Sequence, residues 1–405
     1  MTPTSPNSIS VHLHQIGDLL GSLTSHVLTG CASGRYWLAK GTALALLVSF
    51  FFSGFPPIFQ ERSSIYSWDV YSIKITNPFT DITRHVDDLE KHEAKLNYRL
   101  TVPVIAHVLR LSRTGIIALA MALGIASFAL IIAAVSDATS SRVLGITTGL
   151  LSATLPTGYL AFYAGNGLLF DGYVLFFLAW ACAARRPWEL TFAVFLASWT
   201  DERALLASCL VWAFHASKSA DQPGPKVRSM LLACTAAWVC YFASCYVVWS
   251  VFQLPANAAG TGLTCLKRNA YMFHWCLWSS LKFAWLPLIF IGVQAIRLRR
   301  QLVPSTLLIG GAGIVLGSSL MVDDLTKSMA YLLPALPLLS LLLSRHLGSE
   351  RAAGVLLVVA AFSAPLPNYD IFGTPTSFIH PSWRPPGILA LTFELVSFLK
   401  SIFGK

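Results

Sequence analysis

Charge is scarce in this chain. Only 12% of its 405 residues are Asp, Glu, Lys or Arg, 55% are hydrophobic, and the mean hydropathy is +0.62. That scarcity excludes an ordinary soluble domain, in which about a quarter of the residues are charged. Acids are scarcer than bases, 19 against 29, which leaves a formal charge of +10. A basic excess of this kind is what the cytoplasmic loops of membrane proteins carry, and no nucleic-acid partner is expected. The sequence also lacks a Walker motif, a dinucleotide fingerprint, a GxSxG elbow and an HExxH pair, so ATP hydrolysis by this chain is not expected. Its eight cysteines form no CxxC pair and no zinc spacing. Most lie inside apolar runs and read as small core residues; only Cys265 and Cys276 fall near an expected outer loop, where a disulfide would be at home. The first 35 residues are polar and contain no short apolar core ending in a cleavage site, so the first span is expected to act as the insertion signal.

What the chain has instead is a series of apolar runs, most of them roughly 18 to 23 residues and so long enough to cross a ~30 Å hydrocarbon layer as a helix. Helix is the required form, because backbone polar groups in lipid must be satisfied within the segment. The runs fall near 38–56, 114–136, 143–163, 167–184, 188–199, 204–217, 229–251, 274–296, 303–322, 325–344 and 352–366. The expected fold is therefore an all-α, polytopic transmembrane helical bundle of about 10–12 spans. The expected organisation is a polar cytoplasmic segment 1–35 and a transmembrane region 36–366 that includes an outer loop at 57–113. A tail at 367–405 follows, with an interfacial or final spanning helix near 387–400. Arg185 and Arg186, Lys218, Lys226 and Arg228, Arg297, Arg299 and Arg300, and Arg345 and Arg351 all fall between spans on one side, which the positive-inside rule makes the cytoplasm. Acids collect on the other side. The absence of an Asn-x-Ser/Thr acceptor in the outer loops and the compact chain favour a bacterial inner membrane.

Segment 57–113 carries the densest chemistry. It contains Trp68-Asp69-Val70-Tyr71, then Asn77-Pro78-Phe79-Thr80-Asp81, then a polar run to Arg99. Asn-Pro marks a turn, and Thr80 or Asp81 can cap a following helix. At helical spacing, Asp81, His85, Asp88, His92, Lys95 and Arg99 share one face, opposite Ile82, Val86, Leu89, Leu96 and Leu100. The expected element is an amphipathic interfacial helix in the first outer loop. Two readings stand side by side. In one, a carboxylate is a general base, His85 or His92 its partner or a metal ligand, and Lys95 and Arg99 hold a phosphate. In the other, the stripe is a solvated helix face with ordinary i,i+4 pairs. A metal held by Asp81, His85, Asp88 and His92 is a weaker alternative. Three further sites place charge at the ends of spans, where function is the default hypothesis. These are Asp171, the Asp201-Glu202-Arg203 turn that interrupts a long apolar run, and Asp323-Asp324, whose plainer reading is turn punctuation.

Asp69 and Asp81 after the first span, Tyr98-Arg99-Leu100-Thr101-Val102-Pro103, and Asp323-Asp324 with Lys327 before Tyr331-Leu332-Leu333-Pro334 carry a resemblance. Over about residues 36–345 the arrangement resembles the GT-C superfamily of integral membrane glycosyltransferases. It departs from that pattern in lacking an adjacent pair of acids early in the first outer loop. The resemblance implies a polyprenyl-phosphate-linked sugar as donor, an acceptor on the extracytoplasmic face, and a divalent metal as an open question. It makes Asp81 the leading base, Asp69 the alternative, and Arg99 or Arg203 the holder of the lipid phosphate. The competing readings are a secondary transporter or flippase, with Asp171 as a proton or substrate site, and a non-catalytic assembly protein.

Overall fold

A computed structural model describes residues 8–53, 68–85, 96–161, 170–218, 225–254, 262–298, 302–322, 325–366, 369–371 and 379–381. It is an all-α bundle. The one pairing of strands among the described residues joins β1 (Tyr369–Ile371) to β2 (Ile379–Pro381), antiparallel, with Asp370 opposite His380.

Before the bundle proper comes α1, Ser8–Ala32, which lies in the stretch expected to be a polar segment; α2, Trp37–Ser53, follows and is the first apolar helix. The outer-loop segment folds into α3 (Trp68–Thr76), a 3-10 turn at Ile82–His85, a second such turn at 96–98, and α4 (Thr101–Val108). Of the amphipathic helix expected from Asp81, therefore, the two described ends are 3-10 turns, and Arg99 lies in a break before α4. Residues 86–95, with Asp88, His92 and Lys95, lie outside the described residues.

Next come α5 (Arg113–Thr139), α6 (Arg142–Thr154), α7 (Pro156–Leu160), α8 (Phe170–Ala183), α9 (Pro187–Thr200), α10 (Arg203–Lys218) and α11 (Pro225–Phe252). The span expected over 143–163 is broken between Thr154 and Pro156, where Leu155 turns extended. A proline cannot donate to the preceding turn and disfavours helix at the residue before it, so α6 stops there. Tight connections at 184–186 and 201–202 make α8, α9 and α10 antiparallel neighbours, and all three pack on one another.

The last third holds α12 (Leu263–Asn269), α13 (Phe273–Leu281), α14 (Trp285–Leu298), α15 (Leu302–Leu320), α16 (Leu325–Ala330), α17 (Ala335–Leu347) and α18 (Ser349–Ser363). The run expected as one span over 325–344 is two pieces, α16 and α17, with Tyr331–Pro334 as a turn between them. Asn269 holds the end of α15 by donating from Nδ2 to the carbonyls of Leu320 (3.0 Å) and Val322 (2.8 Å).

Four helical stretches among the described residues are long and apolar enough to cross a membrane: Arg113–Thr139, Arg228–Phe252, Ala270–Arg297 and Leu302–Leu320. Trp37–Phe52, Asp171–Ala183 and Ala335–Leu347 are apolar but shorter. Large apolar side chains on α11, among them Leu232, Val239, Phe242 and Trp249, point outward, which suits a lipid-facing surface and no aqueous one.

Small residues let the helices meet at the centre. α5 packs against α8, and at the end of α7 it runs so close that a Cβ added at Gly124 would collide with the Ala161 carbonyl oxygen. One added at Gly310 of α15 would meet nothing within 4 Å. Gly124→Ala is therefore expected to lower thermal stability in detergent by about 1–3 kcal/mol through overpacking, while Gly310→Ala leaves it unchanged or raises it slightly. Equal melting points for the two variants would overturn this account of the α5 contact.

Candidate functional site

The charged turn between α9 and α10 is the centre of a buried ionic cluster. Asp201 is extended (φ −155°, ψ 128°), and its Oδ1 accepts the Arg203 backbone N–H at 3.0 Å. This short-range bond lets α9 end and α10 begin within two residues. The same carboxylate takes a two-pronged bond from the Arg203 guanidinium, Nε to Oδ1 at 2.7 Å and Nη2 to Oδ2 at 2.5 Å.

A second guanidinium arrives from the outer-loop segment. Arg99 places Nη2 3.0 Å from Asp201 Oδ2, and its Nε lies 3.7 Å from Oε2 of Glu202. Arg99, Asp201 and Arg203 are all buried, whereas the Glu202 side chain is 48% exposed. Arg203 continues the chain of contacts inward. Its Nη1 bonds the Ser328 hydroxyl on α16, and its guanidinium lies over the Tyr331 ring, 5.2 Å from the centroid. The Tyr331 hydroxyl donates to Oδ1 of buried Asp171, at 3.3 Å, in the first turn of α8. Four separate parts of the chain thus meet in one network.

Burial alone would push the Asp201 carboxyl up; the charges of Arg203 and Arg99 and the Arg203 hydrogen bonds outweigh it and hold the group well below the usual carboxylate range. Asp201 is thus a fixed anion and a poor proton acceptor. An aromatic wall stands beside it: Tyr98 stacks on Trp199 at 6.4 Å, Trp199 meets Tyr241 edge-on at 5.4 Å, and the Trp199 indole N–H donates to Ser244 Oγ at 2.9 Å. Two bonds tie this stretch of loop to the bundle, Thr101 Oγ1 to the Leu196 carbonyl and Tyr98 Oη to the Leu254 carbonyl, both 2.9 Å.

Asp81 belongs to a different nest. Its Oδ1 accepts the Thr83 N–H (2.9 Å), the Thr83 hydroxyl (2.7 Å) and Asn97 Nδ2 (3.0 Å). These bonds build the turn that opens the 3-10 segment. Beneath it, Lys74 of α3 is fully buried and donates from Nζ to the carbonyls of Pro78 (2.7 Å), Thr80 (3.1 Å) and Asn97 (3.5 Å). The shared face expected for Asp81 and Arg99 is thus replaced by two clusters, joined along the chain through 97–99.

Of the other residues singled out in the sequence, Asp69 sits in α3 and His85 ends the 3-10 turn, with their side chains outside the described residues, as are Lys95, Asp323 and Asp324. Among the described residues no group of three metal-ligating side chains forms, and none of the eight cysteines is in a disulfide, so Cys265 and Cys276 do not pair. Sequence reading missed Lys74, Asn97 and Ser328. It also missed Lys282, a lone charge within an apolar stretch, whose Nζ donates to the carbonyls of Thr154 (2.7 Å), Ser363 (3.2 Å) and Leu366 (2.8 Å). Its isolation in an apolar run was the available signal.

Comparison with known proteins finds no matching family model, no similar curated protein and no similar solved structure.

Two outcomes test the site's energetics. Asp201→Asn leaves two buried guanidiniums without their anion and is expected to cost about 3–5 kcal/mol; Glu202→Gln, at a half-exposed pair, costs less than about 1 kcal/mol. Thermal unfolding in detergent reads both, and an Asp201→Asn protein as stable as the parent would show that the cluster carries no such load. The second concerns Lys74, whose burial pulls its ammonium down to about 8 from an ordinary 10.5, partly opposed by Asp81. Between those pH values the unfolded chain binds more protons than the folded one, so stability rises with pH across that window. Relative to the parent, Lys74→Met should be destabilised at pH 7, its orphaned carbonyls being buried, and should lack that rise between pH 8 and 10. Parallel pH profiles for the two proteins would contradict the assignment.

Proposed function

We propose that this chain is a polytopic membrane glycosyltransferase that moves a sugar from a polyprenyl-phosphate donor to an acceptor at the extracytoplasmic end of the bundle. The observation that supports this reading is the convergence of Arg99, from the segment after the first apolar helix, on the Asp201-Glu202-Arg203 turn. A transferase of this kind needs a cation for the donor phosphate beside an acid that takes the acceptor's proton. Arg99 and Glu202 supply those two groups within 3.7 Å of each other. Glu202 is the half-exposed acid of the cluster and takes the part of general base. Asp201 orients Arg99 and Arg203, and Asp81 shapes the loop that delivers Arg99.

Orientation is read from the helix ends. Arg185 pairs with Asp137 at 2.6 Å, Arg345 donates to the Ser217 carbonyl at 2.7 Å, and Arg351 pairs with Asp18 at 2.6 Å. These contacts link the basic connections at the ends of α8, α10 and α17, opposite to the ends that carry Asp171 and Asp201. The positive-inside rule then makes the basic end cytoplasmic and the ionic cluster extracytoplasmic, with the N-terminus cytoplasmic. A bacterial inner membrane is the proposed setting. Buried Asp171 supports a second reading, a transporter or flippase with that carboxylate on the substrate path.

Cells carrying Glu202→Gln should accumulate the lipid-linked sugar and lose the glycosylated product, transfer falling by about 10²–10⁴-fold, while the variant still reaches the membrane. Unchanged glycans in both Glu202→Gln and Asp81→Asn would sink the transferase reading. Normal glycosyl transfer with loss of flux in Asp171→Asn would put the transporter first.

A further inference from the structure

Helix α1 has an exposed surface with two different sides. Its inner edge, Gly21, Thr24 and Leu28, is buried, and α1 packs along α18. The backbones cross so closely that a Cβ at Gly354 would fall 2.8 Å from the Gly21 nitrogen. Outward, Leu19, Leu23 and Val27 recur at i, i+4 and i+8 and are 69%, 58% and 61% exposed. Beside them Ser22, His26 and Thr29 are exposed as well. A helix wholly in lipid would not expose the second set, and one wholly in water would not expose the first.

The C-terminal end of α1 carries cations. Lys40 donates to the Gly30 carbonyl (3.0 Å) and the Ser33 carbonyl (3.4 Å), and Arg142 reaches the Ala32 carbonyl (3.4 Å). The guanidiniums of Arg35 and Arg142 lie over the rings of Tyr36 (5.6 Å) and Trp37 (5.1 Å). The acid Asp18, on the same helix, is already paired with Arg351. Aromatic rings with adjacent Lys and Arg are what a protein presents at the headgroup layer of a membrane. The exposed Leu47, Phe51 and Phe52 of α2 carry an apolar surface onward from this end.

We propose that α1 is a lipid-surface helix: Leu19, Leu23 and Val27 enter the edge of the acyl layer while Arg35, Lys40 and Arg142 hold anionic phospholipid headgroups. The occupant of the stripe is therefore lipid, not a protein partner. The site is independent of the ionic cluster at Asp201 and of the transferase reading.

The test uses the full chain, with a photo-crosslinking amino acid at position 23 or 27, or at 22 or 29 as controls, in phosphatidylcholine vesicles with or without phosphatidylglycerol. An unchanged thermal melt checks each variant's fold. Phospholipid adducts at 23 and 27 and none at 22 and 29 are expected. Phosphatidylglycerol should be favoured in the mixed vesicles, the preference falling by about fivefold in Arg35→Gln and again in Arg35→Gln with Lys40→Gln. Adducts to a second copy or another protein at 23 or 27, or lipid adducts equal at all four positions, would overturn the lipid-surface assignment. Equal capture of the two lipids would overturn the headgroup part.

Discussion

The pairing of Asp201 with two guanidiniums is the constraint on which the site end of the bundle depends. A carboxylate and two arginines taken out of water are each expensive, and only mutual contact with good hydrogen-bond geometry makes their burial tolerable. Asp201 therefore fixes three things together. It joins α9 to α10, it brings the segment after the first apolar helix down against the bundle through Arg99, and it aims Arg203 at Ser328 and the Tyr331 ring. Losing the anion would release all three.

The same logic recurs wherever this chain buries a charge. The ammonium groups of Lys74 and Lys282 are each met by three backbone carbonyls, and at Lys74 the charge of Asp81 adds to them. Those carbonyls sit in turns or at helix ends, the places where the backbone has acceptors to spare. Thr154 and Ser363 are the last residues of α6 and α18, so Lys282 meets the negative ends of two helix dipoles. A chain with little charge thus uses its buried cations to finish backbone hydrogen bonding that helices leave open.

Much of the helical architecture was legible because it rests on local rules. The acidic turn at Asp201-Glu202 interrupts one apolar run, and the structure ends α9 and starts α10 there. Asp171, flagged as a charge at a span end, does lie in the buried network. Partnership was not legible. Nothing local joins Arg99 to Asp201, about a hundred residues away, and helical spacing drew Arg99 onto a face with Asp81 that the turns at Ile82–His85 and 96–98 do not build. Helix α1 was overlooked because its buried edge includes Gly21 and Thr24, small or polar residues that hydropathy counts as solvent-facing. The break at Pro156 was legible from proline chemistry, but a continuous apolar run hid it.

The clasp at Lys282 bears on the order in which the protein is made. Its acceptors lie 128 residues before it, at Thr154, and 81 residues after it, at Ser363. During synthesis α13 and α14 exist before α18 does, so the ammonium has the end of α6 but lacks the end of α18. Until α18 is delivered, the lysine has only one of its three carbonyl partners and needs water or another acceptor in place of the other two. Closure of this half of the bundle is accordingly a late step, with α18 completing the clasp around a cation already in place.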